Sequence, residues 1–139
     1  MSVDSAGMAA RLGIKPGMVV QELGWDEDAD EDLRDAIVDL SGGEMVDEDT
    51  DEVADVVLMW WREDDGDLVD ALVDAIGSLA DDGVVWLLVP KSGRPGHVEP
   101  GDVTEAAPTA GLSQTSSISA AKDWSGIRLV TPKAARSRR

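Results

Sequence analysis

The segment Val84 to Pro90 reads VVWLLVP, seven apolar residues without a break. A strand with one wet face alternates apolar and polar side chains, so a run without alternation needs cover on both faces. It is far shorter than the roughly 20 apolar residues of a membrane-spanning helix. The cover must therefore come from the chain itself. Just upstream, Leu68, Leu72, Ile76 and Leu79 recur at helical spacing, reinforced by Val69 and Val73. Asp64 to Asp67 place negative charge at the start of that helix, where the helix dipole favours it. Asp81-Asp82-Gly83 is expected to end it. A doubly covered strand fed by an amphipathic helix predicts a layered α/β fold.

The rest of the chain repeats the pattern. Asp4 to Leu12 predicts a short helix, and Met18 to Leu23 a strand closed by Gly24-Trp25. Asp28 or Asp30 is placed to cap a second helix, in which Leu33, Ile37 and Leu40 share a face until Ser41-Gly42-Gly43 stops it. Glu44-Met45-Val46 reads as a short strand, and Val53 to Trp61 as a buried one. Pro90 to Gly101 is a loop, Asp102 to Ala107 a short helix, and Leu112 to Ala120 and Gly126 to Thr131 a closing strand pair. The expectation is a three-layer Rossmann-like sheet, mostly parallel, with an antiparallel C-terminal strand pair. A chain of 139 residues fits one domain. We expect it to span 1–133, with 134–139 a disordered basic tail.

Charge narrows the range of partners. The formal net charge is −17, and between Asp26 and Asp82 stand 23 Asp or Glu against only Arg34 and Arg62. From Gly83 onward, eight Lys or Arg face four acids. Direct nucleic-acid binding needs a basic footprint to displace counterions, which this chain mostly lacks. Such acidity steers a basic partner, although a solvated face accounts for it as well. There is no cysteine, hence no disulfide and no thiolate site. Met1 to Leu12 lacks the apolar core of a secretory signal, and a cytoplasmic location is the expectation.

Three groups of residues carry a resemblance. Leu12-Gly13-Ile14-Lys15-Pro16-Gly17-Met18-Val19-Val20-Gln21-Glu22-Leu23-Gly24 resembles the opening of class I S-adenosylmethionine methyltransferases, where a KPG turn leads into the first strand. Leu79 to Lys91 resembles a later helix–turn–strand of that fold, and Ala110 to Leu112 with Trp124 to Val130 its terminal antiparallel strands. Gln21 to Asp26, Trp60 to Asp67 and Ala120 to Gly126 are similar to a family of short acidic actinobacterial proteins described as a domain of unknown function. The resemblance implies a shortened methyltransferase-like fold over residues 8 to 133 and brings no activity with it. A cofactor loop of that fold needs several glycines so that backbone can approach the ligand. Here Gly24 stands alone before Trp25-Asp26-Glu27-Asp28. No cofactor is therefore expected. Asp47 or Glu48 sits where a ribose-binding acid would fall, a spacing of little meaning in so acidic a stretch.

Motifs for chemistry are sparse. Asp26, Asp28 and Asp30, and likewise Asp47, Asp49 and Asp51, have the alternate spacing that opens a calcium loop. Both runs lack the glycine at the sixth position (Glu31, Glu52) and the glutamate at the twelfth (Ile37, Leu58). His97 is the single histidine; Glu99 or Asp102 could orient it as a base, but a plain loop histidine is the simpler reading. Ser113, Ser116, Ser117 and Ser119 lack a nucleophile-elbow motif and read as an edge strand. No catalytic residue and no metal ligand is assigned.

Five tryptophans stand in a chain without Phe or Tyr. Trp60, Trp61 and Trp86 fall in strands, where adjacent Trp60 and Trp61 must face opposite sides. Trp25 and Trp124 fall in turns and are candidate contact anchors. Ligands of open α/β sheets sit beyond the carboxyl ends of the strands. That rule gathers Glu22, Gly24, Trp25, Trp61, Arg62, Lys91, Arg94 and His97 on one rim as a candidate binding site, where the cations could hold an anion. The expected function is a non-catalytic binding or regulatory protein acting through a partner protein or a small anionic ligand. The alternative is a minimal S-adenosylmethionine- or nucleotide-binding enzyme. No membrane association is expected, and a homodimer is open to it.

Overall fold

The computed structural model describes residues 5–47, 49 and 52–131. In chain order it holds α1 (Ser5–Arg11), β1 (Val20–Leu23), α2 (Glu31–Ser41), β2 (Ala54–Trp60), a 3-10 turn (Glu63–Asp65), α3 (Leu68–Ile76), β3 (Leu79–Pro90), α4 (Pro100–Thr109), β4 (Ser113–Ser119) and β5 (Trp124–Val130). The sheet runs β1-β2-β3-β5-β4. The first three strands are parallel, and β5 pairs antiparallel with both β3 and β4. This is the expected Rossmann-like α/β sheet with its antiparallel closing pair.

Alternation along β2 and β3 divides the core in two. Val57, Met59, Val85, Leu87 and Val89 pack with Leu72 and Ala75 of α3 and Val103, Ala106 and Ala107 of α4. Val56, Leu58, Trp60, Trp86 and Leu88 pack with Ala9 of α1 and Leu33 and Ile37 of α2. Trp61 lies one residue past β2, not within the strand as expected, but its N–H still bonds Leu88, and Trp60 and Trp61 enter opposite cores. The Trp86 indole N–H donates to the Leu12 carbonyl at 2.8 Å, tying the segment after α1 to the central strand.

Local chemistry sets the helix ends. Asp30 caps α2 by accepting from the Leu33 N–H, and Asp67 caps α3 by accepting from the Asp70 N–H. Gly42 closes α2 at φ 88°, its N–H donating to the Val38 carbonyl.

Four further expectations need correction. Glu44-Met45-Val46 is not a strand; its pairing is one parallel bridge, Gln21 to Val46. The α3 stripe ends at Ile76, and Leu79 begins β3, because Leu79 pairs with Ala54 and the Ala54 N–H bonds Ser78. Sheet pairing there overrides the helical period, and Asp81 and Asp82 ride on the strand's exposed start. Trp124 is no turn residue: it opens β5 and is buried edge-on against Trp60, ring centroids 4.8 Å apart. β1 begins at Val20 rather than Met18, because Lys15-Pro16-Gly17 runs into a turn. The tail 134–139, with Glu48 and Asp51, lies outside the described residues. No helix among the described residues is long and apolar enough to cross a membrane.

Candidate functional site: the carboxyl-end rim

β1 and β2 end side by side, and the chain leaves each through a turn. Gly24 makes the first turn at φ +76°. A Cβ built there would lie 2.2 Å from the Trp60 carbonyl oxygen, so the glycine is required by the neighbouring strand. Trp25 follows with 49% of its surface exposed. Between this turn and α3 lies a cleft of about 440 Å³. Trp25, Trp61, Met59 and Leu23 give its apolar surface; Asp26, Asp65 and Asp74 give its charge.

Arg62 clasps the rim beside the cleft. Its guanidinium donates to the Gly24 carbonyl at 2.7 Å, to the Trp60 carbonyl at 3.3 Å, to Asp65 at 3.3 Å and, through two nitrogens, to both carboxylate oxygens of Asp28. It also lies over the Trp124 ring, 5.2 Å from the centroid. Burial opposes its charge, but the Asp28 and Asp65 carboxylates outweigh burial and raise its pKa. In return, the hydrogen bond from Arg62, helped by its charge, holds Asp28 below the ordinary carboxylate value.

A second guanidinium is held in the same way. Arg34 forks onto Glu22 at 2.6 and 2.7 Å, bonds Glu31 at 2.8 Å and lies 5.6 Å from the Trp25 centroid. Glu22 also accepts from the Trp60 indole at 2.9 Å. The Glu22 hydrogen bonds raise the Arg34 pKa. Glu31 is held low by the Trp25 indole N–H and then by Arg34.

The predicted residues thus fall into two groups. Gly24, Trp25, Trp61 and Arg62 line the cleft, and Glu22 stands behind it in the Arg34 pair. Lys91 and Arg94 lie at the far end of the rim, beside the β4–β5 turn. Lys91 Nζ bonds Ser119 at 2.6 Å, and Arg94 meets Asp123 at 3.1 Å. Arg94 shares a shallow hollow of about 140 Å³ with Asp28, Asp123 and Trp124. His97 is less open than a plain loop histidine, because its Nδ1 lies 2.9 Å from the Pro90 carbonyl; Glu99 is 3.8 Å from Nε2. The serines of β4 line the sheet's open edge.

Sequence reasoning did not place Arg34, Glu31 or Asp74 at the rim, and it weighed Asp28 only as a helix cap and in a calcium-loop run. One signal was available for Arg34: it and Arg62 are the only cations among 23 acids, so each was certain to be surrounded by carboxylates. Among the described residues, no group of three or more His, Asp or Glu is placed to hold a metal ion.

Comparison with known proteins places the chain. The family model described as "Protein of unknown function (DUF3052)" matches residues 9–133. An uncharacterized protein of Mycobacterium tuberculosis is 57% identical over 135 residues, 97% of this chain and 85% of that one, and one of Mycobacterium bovis matches equally. Among solved structures, a SAM dependent methyltransferase from Aquifex aeolicus aligns with TM-score 0.63 at 14% identity, covering 91% of this chain and 88% of that one. The glycopeptide N-methyltransferase MtfA aligns with TM-score 0.59 at 14% identity, over 95% and 92%. At such identity the likeness concerns the fold alone. The chain belongs to the DUF3052 family, on a methyltransferase-like Rossmann fold.

Proposed function

We propose that this chain is a non-catalytic binding protein that acts through a partner protein at the cleft between the β1–α2 turn and α3. One observation carries the reading: Arg62 and Trp25 occupy the turn that a cofactor of this fold would have to approach. In a dinucleotide- or S-adenosylmethionine-type loop, glycines let the ligand reach the backbone. Here the contact to Gly24 is made by β2, and its carbonyl is taken by Arg62. The residues do not fit the cofactor implied by the neighbouring structures.

The ion pairing of the rim supports the same reading. A general acid or base works best with a pKa near the operating pH. The shifts at this rim run the other way, with Asp28 and Glu31 lowered and Arg34 and Arg62 raised. The small-anion version is less well supported, because Arg62, Lys91 and Arg94 each have an internal partner. The enzyme alternative draws on the fold of the structural neighbours.

Calorimetry with S-adenosylmethionine on the full chain separates the two. We expect no binding tighter than about 100 μM, or roughly −5.5 kcal/mol. A tighter constant would overturn the non-catalytic reading.

A further inference from the structure

The rim binds a guanidinium twice in one manner. Arg34 lies over Trp25 and pairs with Glu22 and Glu31; Arg62 lies over Trp124 and pairs with Asp28 and Asp65. Each cation has an indole and two carboxylates. This combination suits arginine, whose planar fork stacks on aromatic faces and pairs with carboxylates. The cleft also presents indole surface and carboxylates, and the one cation on its wall, Arg62, is already taken up by Asp28 and Asp65. Trp25 is half exposed, Trp61 lines the apolar side, and the exposed Asp26 and Asp74 line the cleft as well. The Asp74 carboxylate has no hydrogen-bond or ion-pair partner among the described residues.

We infer that the cleft between the β1–α2 turn and α3 receives an arginine side chain from a basic segment of a partner protein. The inference rests on the binding reading above and names the chemistry of its partner. Charge supports a polypeptide as the source. The acids extend well past the cleft, with 23 Asp or Glu between Asp26 and Asp82, so a basic segment would meet opposite charge on either side of the anchored residue.

The test titrates the full chain with a blocked five-residue peptide, Gly-Arg-Gly-Arg-Gly, followed by the indole N–H resonance of Trp25. Its citrulline counterpart keeps the shape and removes the charge, and its lysine counterpart keeps the charge and removes the plane. We expect saturable binding of the arginine peptide, weakened about tenfold by citrulline and less by lysine, in line with a desolvated cation–π contact. Asp74→Asn should weaken it about threefold, as loss of one exposed ion pair does. Asp39→Asn, the same charge change on an exposed position of α2, should leave it unaltered. Equal binding of the citrulline peptide, or equal losses from both Asn variants, would overturn the inference, the second by reducing it to general charge attraction. Free arginine amide binding as tightly as the peptide would overturn the polypeptide source. Absence of peptide binding together with absence of S-adenosylmethionine binding would end this inference alone; tight S-adenosylmethionine binding would end the reading beneath it.

Discussion

The guanidinium of Arg62 donates to the carbonyl of Gly24 at 2.7 Å, joining the turn after β1 to the turn after β2. The side chain is only 12% exposed, and Asp28, Asp65 and the Trp60 carbonyl share it. Arg62→Ala would take the guanidinium from Asp28, Asp65 and two carbonyls, while Asp65 keeps the bond from the residue 62 backbone N–H at 3.0 Å. Removing one partner of a buried pair typically costs about 3–5 kcal/mol; Asp28 is half exposed, so we expect about 2 kcal/mol. Urea unfolding measures it, and a loss under about 0.5 kcal/mol would refute the clasp. Arg62→Lys should recover only part, because an ammonium cannot serve a planar fork.

Gly24 and Gly42 offer a matched comparison. Both have positive φ, +76° and +88°, but a Cβ at Gly42 meets nothing within 4 Å. Gly42→Ala should therefore cost about 1 kcal/mol from backbone strain alone. Gly24→Ala adds a clash with the Trp60 carbonyl and should cost at least about 3 kcal/mol, or fail to fold. Equal effects in thermal melts would mean that β1 and β2 lie farther apart than described.

The two tryptophans expected in turns should behave differently. Trp25→Ala removes a half-exposed ring, its contact with Arg34 and its bond to Glu31, and should cost about 1 kcal/mol. Trp124→Ala removes a buried ring stacked edge-on with Trp60 and lying under Arg62, at a cost of about 3–5 kcal/mol. If Trp25→Ala proves the more disruptive variant, its indole belongs to the core.

Acid titration tests the Asp28 partnership. Its pKa is lowered from the ordinary 3.8, first by the hydrogen bond from Arg62 and then by its charge, against some desolvation. A depressed folded-state pKa contributes stability that is complete above the unfolded value and is lost as pH falls through the folded one. The stability difference between wild type and Asp28→Asn should thus stay constant from about pH 8 to pH 5 and shrink below about pH 4. A difference that grows in acid would reverse the sign and exclude the pairing.

How much of this was legible in the sequence follows from the range of each interaction. The unbroken Val84–Pro90 run, the Asp30 cap and the opposite facing of Trp60 and Trp61 depend on neighbours in the chain, and periodicity carries them. Leu79 misled because its helical spacing is satisfied while its backbone is claimed by Ala54, 25 positions away. Trp124 misled because the β4–β5 turn is tight: Ala120 and Ala121 N–H groups both bond the Trp124 carbonyl, so the strand starts at once. The rim was legible through the topological rule. Its internal pairing was not, since Arg62 meets Asp28 across 34 positions and Gly24 across 38.

The placement of β5 also bears on how the sheet is completed. It is last of the five strands in sequence yet lies inside the sheet, between β3 and β4. Without residues 124–130, β3 would therefore have one edge paired to β2 and the other bare. That bare edge belongs to the strand with the unbroken run Val84–Pro90, a ready template for pairing with another chain. Any chain made or folded as far as β4 would have its centre as its rim, and β5 is what turns that rim into an interior.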